Sequence, residues 1–252
     1  MRLRNRVAVV TGGGAGIGEA VAKAFAAEGA SVIIAEIDED RGSTVEAAIQ
    51  GAGGNALFAK TDVGSTASVD ALGERVKAEF GQVDILFNNA AIQLVGQDSR
   101  THEVAEEIWD RTININLKGY WRSMRAFIPL MLTHGGTVIN VASPTGMLGV
   151  APGYSAYSTS KGGVFAMTRV AAAEYSRDGI RVNCIVPGAT LTPLTAEIFA
   201  DAEERELFEQ NIPMGRLGTP DDLVGLSLFL ASDDSAYCTG GTYMADGGLT
   251  AI

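Results

Sequence analysis

A glycine-rich turn near the start of the chain, Thr11–Gly18, separates two apolar patterns of different period. The segment before it, Arg6–Thr11, is short and rich in valine, which is typical of a buried strand. The segment after it, through Ala30, carries apolar residues at helical spacing. A strand, a tight turn and a helix in this order predict the first half of a βαβ unit, which requires a parallel sheet covered by helices.

Strand and helix patterns alternate along the rest of the chain. The further predicted strands are Ser31–Ala35, Asn55–Lys60, Val83–Phe87, Thr137–Ala142, Ile180–Val186 and Thr242–Ala245. The predicted helices cover Glu39–Ala52, Ser65–Phe80, Val104–Thr133, 154–177 and Asp221–Ala231. This order predicts an α/β fold with a doubly wound, mostly parallel sheet. The length, without a linker or repeat, favours one domain over residues 1–252.

Composition and charge exclude several function classes. The chain has 252 residues and a net charge of −11, so we expect no nucleic acid partner and no binding to an anionic membrane. Cys184 and Cys238 lie in apolar runs, which indicates reduced thiols in a cytoplasmic protein. His102 and His134 have no partner at metal-ligand spacing, so no metal site is predicted. The basic start, residues 1–6, precedes too few apolar residues for a signal peptide.

The glycine turn also indicates a ligand. Gly12, Gly16 and Gly18 would let the backbone approach a pyrophosphate closely, and the helix start would offer free N–H groups and a positive dipole end. The spacing is G-x-x-x-G-x-G rather than the commonest dinucleotide pattern, and no Gly-Lys-Ser/Thr follows that would make a P-loop. A turn retained only for tight packing is the alternative.

Glu36, at the end of the second predicted strand, indicates which dinucleotide would bind. An acidic residue about 20 positions beyond the turn can accept hydrogen bonds from a ribose 2′-hydroxyl and would repel a 2′-phosphate. The sequence has no Arg or Lys within the turn or directly after Glu36 to offset that repulsion. We therefore predict NAD rather than NADP. A solvated loop carboxylate is the alternative.

Tyr157 and Lys161 form a second candidate site at the start of a predicted helix. Residues at positions i and i+4 share a helix face, so the phenol and the ammonium can point into one cleft. A free phenol has a pKa of about 10, and a nearby ammonium favours the phenolate and would lower that pKa toward neutrality. The pair thus predicts a general acid and base, although an incidental surface pair has the same spacing.

With these motifs in order, the chain resembles the short-chain dehydrogenase/reductase family over essentially its whole length. The resemblance rests on Thr11–Gly18, Asp62-Val63, Asn88-Asn89-Ala90, Asn116, Ser143, Tyr157/Lys161, Asn183, Pro187-Gly188 and Asp246-Gly247-Gly248. It implies a Rossmann-type sheet of seven strands and a nicotinamide cofactor. The cofactor-binding residues that it implies, together with the residues argued above, are Gly12, Gly16, Ile17, Gly18, Glu36, Asp62, Val63, Asn89, Tyr157, Lys161, Pro187, Gly188, Thr190 and Thr192.

The resemblance also implies a catalytic tetrad. Tyr157 passes a proton to or from the substrate oxygen, and Lys161 lowers its pKa and binds the nicotinamide ribose. Ser143 hydrogen-bonds the substrate oxygen, and Asn116 holds a water that links Lys161 to solvent. Hydride transfer itself belongs to the cofactor.

The chain departs from the family pattern in three ways. Ala91 stands where the family often has glycine, Ala142 precedes Ser143 in place of a second serine, and the gap to Tyr157 is one residue longer than usual. Ser143 is still chosen, because Ser155 and Ser158 lie too near Tyr157 in sequence to approach it from a strand end. Asn116 is chosen over Asn114 because Leu117-Lys118-Gly119 follows it.

The predicted function is NAD-dependent interconversion of a secondary alcohol and a ketone. A 3-oxoacyl ketoreductase is the alternative within enzymes, although its usual NADPH preference conflicts with Glu36, and a non-catalytic nucleotide-sensing relative is the alternative outside them. Sugar, polyol, steroid and cyclic alcohols all remain open as the small-molecule substrate. The predicted pocket residues are Gln93, Leu94, Ser143, Met147, Tyr154, Leu191, Leu194, Ile198 and Phe199.

A mobile cover and an assembly are also predicted. Leu191–Asn211 is charged and amphipathic, which predicts a helical flap over the cleft within about 189–212. The family resemblance and the apolar outer faces of helices 104–133 and 154–177 predict a homotetramer. The apolar segment Gly240–Ile252 could pack across a second two-fold axis.

Overall fold

The sheet has seven strands, and all of them run parallel. The computed structural model describes residues 1–251, except the side chain of Glu204. The strands are β1 (Val7–Thr11), β2 (Ser31–Glu36), β3 (Asn55–Lys60), β4 (Ile85–Asn88), β5 (Gly136–Val141), β6 (Ile180–Pro187) and β7 (Thr242–Ala245). Their order is β3-β2-β1-β4-β5-β6-β7. The predicted doubly wound, seven-stranded sheet is confirmed, and every strand pair in the described residues is parallel.

Helices cover both faces of the sheet. They are α1 (Gly16–Ala27), α2 (Glu39–Gly51), α3 (Thr66–Phe80), α4 (Glu106–Asn116), α5 (Lys118–Phe127), α6 (Ser155–Tyr175), α7 (Ala202–Gln210) and α8 (Val224–Ala231). One core cluster packs α1, α2 and α8 against strand residues such as Val10 and Ile34. The other packs α3, α5 and α6 against the opposite-facing residues such as Val9 and Ile33. Because both faces are covered, every residue of β1 is buried, which explains why the strand is rich in valine rather than alternating apolar and polar residues.

The strand order reverses between β1 and β4. From β1 the chain builds outward through β2 and β3, then returns to place β4 on the other side, with Thr11 opposite Asn88. The helices that follow β1 and β4 therefore diverge to opposite faces and leave a crevice beyond the carboxyl ends of the strands. Ligands of doubly wound sheets bind at such a crevice.

The predicted helix over Val104–Thr133 is two helices, and this prediction is corrected. α4 ends at Asn116, Leu117 leaves helical geometry with φ −112° and ψ −55°, and α5 begins at Lys118. α5 ends at Phe127, where Pro129 follows in a 3-10 turn (Ile128–Leu130).

Arg122 compensates for the break between α4 and α5. Its guanidinium donates to the carbonyls of Asn114 and Val63 at 3.0 Å each, to the Asn114 side-chain oxygen at 2.6 Å and to the Thr66 hydroxyl at 3.0 Å. The residue is 4% exposed. A carbonyl in the last turn of α4 thus accepts from a side chain of the next helix. The same guanidinium joins the break to the loop after β3.

The predicted helical flap is also corrected. Only α7 is helical within Leu191–Asn211, and residues 193–199 form turns. The Thr195 hydroxyl donates to the carbonyl of Thr190 at 2.6 Å and accepts from the backbone N–H of Thr192 at 3.0 Å. Such side-chain bonds compete with the helical backbone ladder, and Pro193 removes one of its donors.

Two smaller observations complete the fold. The predicted helix Asp221–Ala231 begins as a 3-10 turn (Pro220–Leu223) and continues as α8. Within residues 1–251, the structure contains no helix long and apolar enough to cross a membrane.

Candidate active site

A cleft of about 420 Å³ lies beyond the carboxyl ends of β1 to β4. It collects residues that are far apart in sequence, because parallel strands end at the same sheet edge. Eight of the predicted cofactor residues line it: Gly12, Gly16, Ile17, Glu36, Asp62, Val63, Asn89 and Thr192. The cleft therefore has the position and the donor set that a dinucleotide requires.

The glycine turn fits a close backbone approach. Gly12 and Gly16 have φ values of +63° and +56°, a region that favours glycine. A Cβ at Gly12 would lie 2.9 Å from the Cα of Ala90. The N-cap of α1, Ala15, provides no side-chain cap, so the first N–H groups of the helix stay available to an anion. Gly18 lets α1 pack closely against the turn, since a Cβ there would lie 2.1 Å from the Gly12 carbonyl oxygen.

Glu36 closes the cleft at the end of β2. One carboxylate oxygen accepts from the backbone N–H of Ile37 at 2.9 Å and of Asp38 at 3.1 Å. The other oxygen accepts from the Gly14 N–H at 3.1 Å and has acceptor capacity left for a ribose hydroxyl. The carboxylate is thus oriented by three backbone donors before any ligand binds.

Arg41 is a cation in this cleft that the sequence analysis missed. It lies in the first turn of α2, lines the cleft beside Glu36 and pairs with Asp38, with 3.4 Å between Nε and Oδ2. The signal in the sequence was a basic residue five positions after Glu36. The helix that begins between them brings this residue back toward the end of β2. The expectation that no cation lies near Glu36 is therefore wrong.

Asn89 lies at the cleft, whereas two predicted cofactor residues of the segment after β6 lie at another cavity. The Asn89 amide donates to the carbonyls of Thr11 and Gly12 at 3.3 and 3.1 Å, so it braces the glycine turn while lining the cleft. Pro187 is the last residue of β6. Gly188 and Thr190 line a second cavity of about 380 Å³ instead of the cleft. Leu194, predicted for the substrate pocket, lines the cleft of the cofactor residues.

Lys161 is an ammonium buried between three elements. The residue is 2% exposed, and its Nζ donates to the Val141 carbonyl at 2.9 Å and to the Tyr120 hydroxyl at 3.4 Å. Tyr120 in turn donates to the same carbonyl at 3.1 Å. The sequence analysis missed Tyr120, although its position four residues after Asn116 was a signal that both share a helix face.

Tyr157 lies one helical turn before Lys161 and faces it. Its ring centre is 5.8 Å from the Lys161 Nζ, and the residue is 8% exposed. The Ser143 hydroxyl lies near enough to the phenol to favour its ionised form, and it accepts from the Thr145 hydroxyl at 3.1 Å. The Ser155 hydroxyl is instead paired with Thr101 at 3.1 Å. The structure thus brings Ser143, Tyr157 and Lys161 together.

Burial shifts both pKa values away from their ordinary range. It raises the pKa of Tyr157 to about 12, while the Ser143 hydrogen bond acts in the opposite direction. Burial lowers the pKa of Lys161 to about 8. The expected lowering of the Tyr157 pKa is therefore wrong for the ligand-free protein. The reason is that desolvation of the phenolate outweighs the attraction to an ammonium that is bonded elsewhere.

Asn116 uses its side chain to hold a loop. Its amide oxygen accepts from the Ile92 N–H at 2.8 Å, and its nitrogen donates to the Ile92 carbonyl at 2.9 Å and to the Ser160 hydroxyl at 3.2 Å. Both protons of the Asn116 amide are therefore donated within the protein.

The remaining predicted pocket residues lie on three loops at the same sheet edge. Gln93 and Leu94 follow β4, Met147 and Tyr154 follow β5, and Leu191, Ile198 and Phe199 follow β6. Tyr154 is the N-cap of α6, and Phe199 packs edge-on against Phe208 with 5.4 Å between ring centres. Within the described residues, no group of three or more His, Cys, Asp or Glu side chains is arranged to hold a metal ion.

Known proteins resemble this chain over nearly its full length. Residues 12–250 match a family model described as enoyl-(acyl carrier protein) reductase. A 3beta-hydroxysteroid dehydrogenase 1 from Eggerthella lenta is 40% identical, over 98% of this chain and 95% of that protein. A 3-oxoacyl-[acyl-carrier-protein] reductase from Thermotoga maritima is 37% identical, over 99% of each chain.

A solved structure also resembles this chain over nearly its full length. A candidate NAD(P)-dependent gluconate 5-dehydrogenase from Beutenbergia cavernae, with NADP bound at low occupancy, superposes with a TM-score of 0.94. It is 35% identical, and the match covers 99% of this chain and 98% of that one.

Lys161→Met should remove a pH-dependent cost of folding. The folded pKa of about 8 lies below the ordinary value of 10.5, so between these values the unfolded chain binds more protons. The stability of the unmodified protein should therefore rise with pH across this window, by on the order of 3 kcal/mol relative to the Met variant. Urea unfolding at pH 7 to 10.5 measures this difference. Lys77→Met, at an exposed position of α3, is the control, and parallel curves for all three proteins would contradict the assignment.

Proposed function

The chain belongs to the short-chain dehydrogenase/reductase family of oxidoreductases, and from that premise we propose that it is an NAD-dependent dehydrogenase interconverting a secondary alcohol and a ketone. The observation that carries the proposal is the buried Tyr157 phenol, which lies beside Ser143 with its ring centre 5.8 Å from the Lys161 ammonium. This arrangement can move a proton to or from an oxygen of a substrate. The adjoining cleft at the sheet edge supports a dinucleotide as the second reactant.

The residues of the cleft fit a nicotinamide dinucleotide. Gly12, Gly16 and the start of α1 would hold its pyrophosphate, and Glu36 its adenosine ribose. Asp62 and Val63, at the end of β3, would border its adenine. The bound cofactor would supply hydride acceptance and donation, which no protein side chain provides.

Tyr157 is proposed as the general acid and base. During alcohol oxidation its phenolate accepts the hydroxyl proton, and during ketone reduction its phenol donates one. Ser143 holds the reacting oxygen at the end of β5. Lys161 stabilises the phenolate, and its two acceptors keep the ammonium in place. Asn116 would hold a water that connects Lys161 to solvent.

A 3-oxoacyl ketoreductase is the second candidate, because the Thermotoga maritima relative carries that description. Two features favour the alcohol dehydrogenase. The Glu36 carboxylate faces the ribose side of the cleft, where the phosphate of NADPH would meet like charge. Residues 201–209 carry five carboxylates and one guanidinium, which disfavours an anionic phosphopantetheine carrier. A non-catalytic relative is less consistent with a tetrad that is complete. Turnover of a panel of neutral alcohols and 3-oxoacyl thioesters, measured with each cofactor, distinguishes these three candidate functions.

The substrate class is left broad within this proposal. Steroid, sugar, polyol and small cyclic alcohols share the reacting group that the site requires. The Eggerthella lenta relative acts on a hydroxysteroid according to its description, which makes steroids the first members of the panel.

We also propose a homotetramer of one-domain chains in the cytoplasm, with residues 189–212 as a flap. Trp121 on α5 and Val170 on α6 are 47% and 56% exposed, which supports apolar helix faces that pack against other copies. The segment Gly240–Ile252 ends outside the described residues. Light scattering at micromolar concentration should give four chains, and a monomer would contradict the assembly.

Tyr157→Phe should abolish turnover while leaving NAD affinity nearly unchanged, because the ring keeps its packing and only the proton-transferring oxygen is lost. Ser143→Ala should lower kcat by roughly 10²-fold, the scale of losing one donor to a developing oxyanion. Reduced-nicotinamide absorbance and a binding titration measure the two effects. Tyr175→Phe, at the end of the same helix, is the matched control and should keep full activity. Retained turnover in the Tyr157 variant would overturn the mechanism.

Glu36 should set the preference for NAD over NADP. Glu36→Gln keeps the size and a carbonyl acceptor but removes the charge that opposes a 2′-phosphate. We expect the kcat/KM ratio of NAD to NADP to fall by roughly tenfold, the equivalent of 1.4 kcal/mol. Adding Arg41→Met to that variant should reverse part of the improvement in NADP use, since Arg41 is the cation that lines the cleft beside residue 36. Equal use of both cofactors by the unmodified protein is the result that would refute this assignment.

A further inference from the structure

The helix that carries Tyr157 is capped from outside its own sequence. Its N-cap, Tyr154, makes no side-chain cap bond. The N–H of Ala156 instead donates to one carboxylate oxygen of Asp98 at 3.1 Å, and the N–H of Tyr157 donates to the other at 2.9 Å. Asp98 is 8% exposed and precedes these residues by 58 and 59 positions. A buried carboxylate thus satisfies two of the donors that every helix start leaves unpaired.

Asp98 is itself held in the loop between β4 and α4. Its backbone N–H donates to the Leu94 carbonyl at 2.9 Å, and its carboxylate also accepts from the Ser99 N–H at 2.9 Å. Two flanking bonds join the same loop to the helix. The Ser155 N–H donates to the Ser99 carbonyl at 3.3 Å, and the Thr101 and Ser155 hydroxyls pair at 3.1 Å. We name these contacts between residues 98–101 and 155–157 the Asp98 clamp.

We propose that Asp98 is a positioning residue for the reaction, which fixes the backbone of Tyr157 and ties it to the loop that carries Gln93 and Leu94. The proposal rests on the function proposed above. Asp98 acts through Tyr157 and does not need to touch the substrate or the cofactor. The clamp makes the proton-transferring phenol and one wall of the predicted substrate pocket a single hydrogen-bonded unit.

The position of Tyr157 in the helix explains why the clamp affects it selectively. Tyr157 is the third residue of α6, within the first turn, where a helix frays when its cap is lost. Lys161 lies one turn deeper and is held by Val141 and Tyr120. Loss of the clamp therefore displaces the phenol while the ammonium stays. A displacement of about 1 Å at a reacting group can cost roughly 10²-fold in rate.

The test uses two substitutions of graded effect. Asp98→Asn is isosteric and keeps one carbonyl acceptor, but its NH₂ group meets the other of the two backbone N–H groups that Asp98 binds. Asp98→Ser keeps a single acceptor on a shorter side chain. Gln97→Ala, exposed on the same loop, is the first control. Ser65→Ala is the matched control, because Ser65 caps α3 by accepting from the Ser68 N–H at 3.3 Å.

Three measurements are made on the full-length protein. Hydrogen exchange of peptides containing 155–158 and 93–99 should speed up in both Asp98 variants, more in the serine variant, while exchange in α6 beyond Lys161 stays unchanged. NAD affinity by titration should stay within twofold. On a substrate of the unmodified enzyme, kcat should fall at least tenfold. Both controls should keep kcat, and Ser65→Ala should speed exchange in α3 alone.

The outcomes separate this proposal from the proposed function. A kcat within twofold of the unmodified enzyme, or unchanged exchange at 155–158, would overturn the role of Asp98. A parallel loss of NAD affinity, kcat and global stability would also overturn it, since that pattern indicates a general structural role. If the serine variant does not fold, the asparagine variant decides alone. Failure of the unmodified protein to turn over any alcohol counts against the proposed function, whereas the exchange measurement still decides the clamp.

Discussion

The buried ammonium of Lys161 is the charge on which the arrangement of the site depends. An ammonium removed from water is costly unless oxygen atoms surround it, and the protein provides two, the Val141 carbonyl and the Tyr120 hydroxyl. These acceptors belong to the end of β5 and to α5, so both elements must meet α6 at one point. Ser143 follows Val141 by two residues and is thereby delivered to Tyr157. The placement of Ser143 beside Tyr157 thus follows from the need to solvate one buried charge.

The acceptor on α5 depends in turn on the break between α4 and α5. Tyr120 faces Lys161 from a helix that starts anew at Lys118, and Gly119 lets this helix approach Val63, where a Cβ would meet the valine at 3.1 Å. Arg122 donates hydrogen bonds across the break to Asn114 and also to the Val63 carbonyl. The wall of the cleft after β3 and the surroundings of the ammonium are therefore one structural unit, joined by a guanidinium that contacts neither Tyr157 nor Lys161.

Local signals predicted the sheet, the glycine turn and the Tyr157 helix, because valine runs, glycine positions and helical spacing act within a few residues. The break at Leu117 was not predictable, since no proline or glycine occupies that position and its compensation comes from Arg122 in the next helix. Arg41 and Asp98 were missed because their partners lie in other elements. The Tyr157 pKa is raised rather than lowered because the phenol is buried by tertiary packing. The spacing of Tyr157 and Lys161 in the sequence carries no information about that burial. The roles of the individual site residues stay predictions.

The loop after β4 connects recognition to chemistry in this arrangement. It is held at three points: by Asn89 on the glycine turn, by Asn116 on Ile92, and by Asp98 on the start of α6. A substrate that contacts this loop would therefore act, through hydrogen bonds, on Tyr157, the proposed proton-transferring residue. Binding energy gained there can therefore be expressed in the transition state rather than only in affinity. In the segment after β6, the Thr195 hydroxyl instead bonds to Thr190 and Thr192 of the same segment, so these bonds hold its own turns rather than the start of α6.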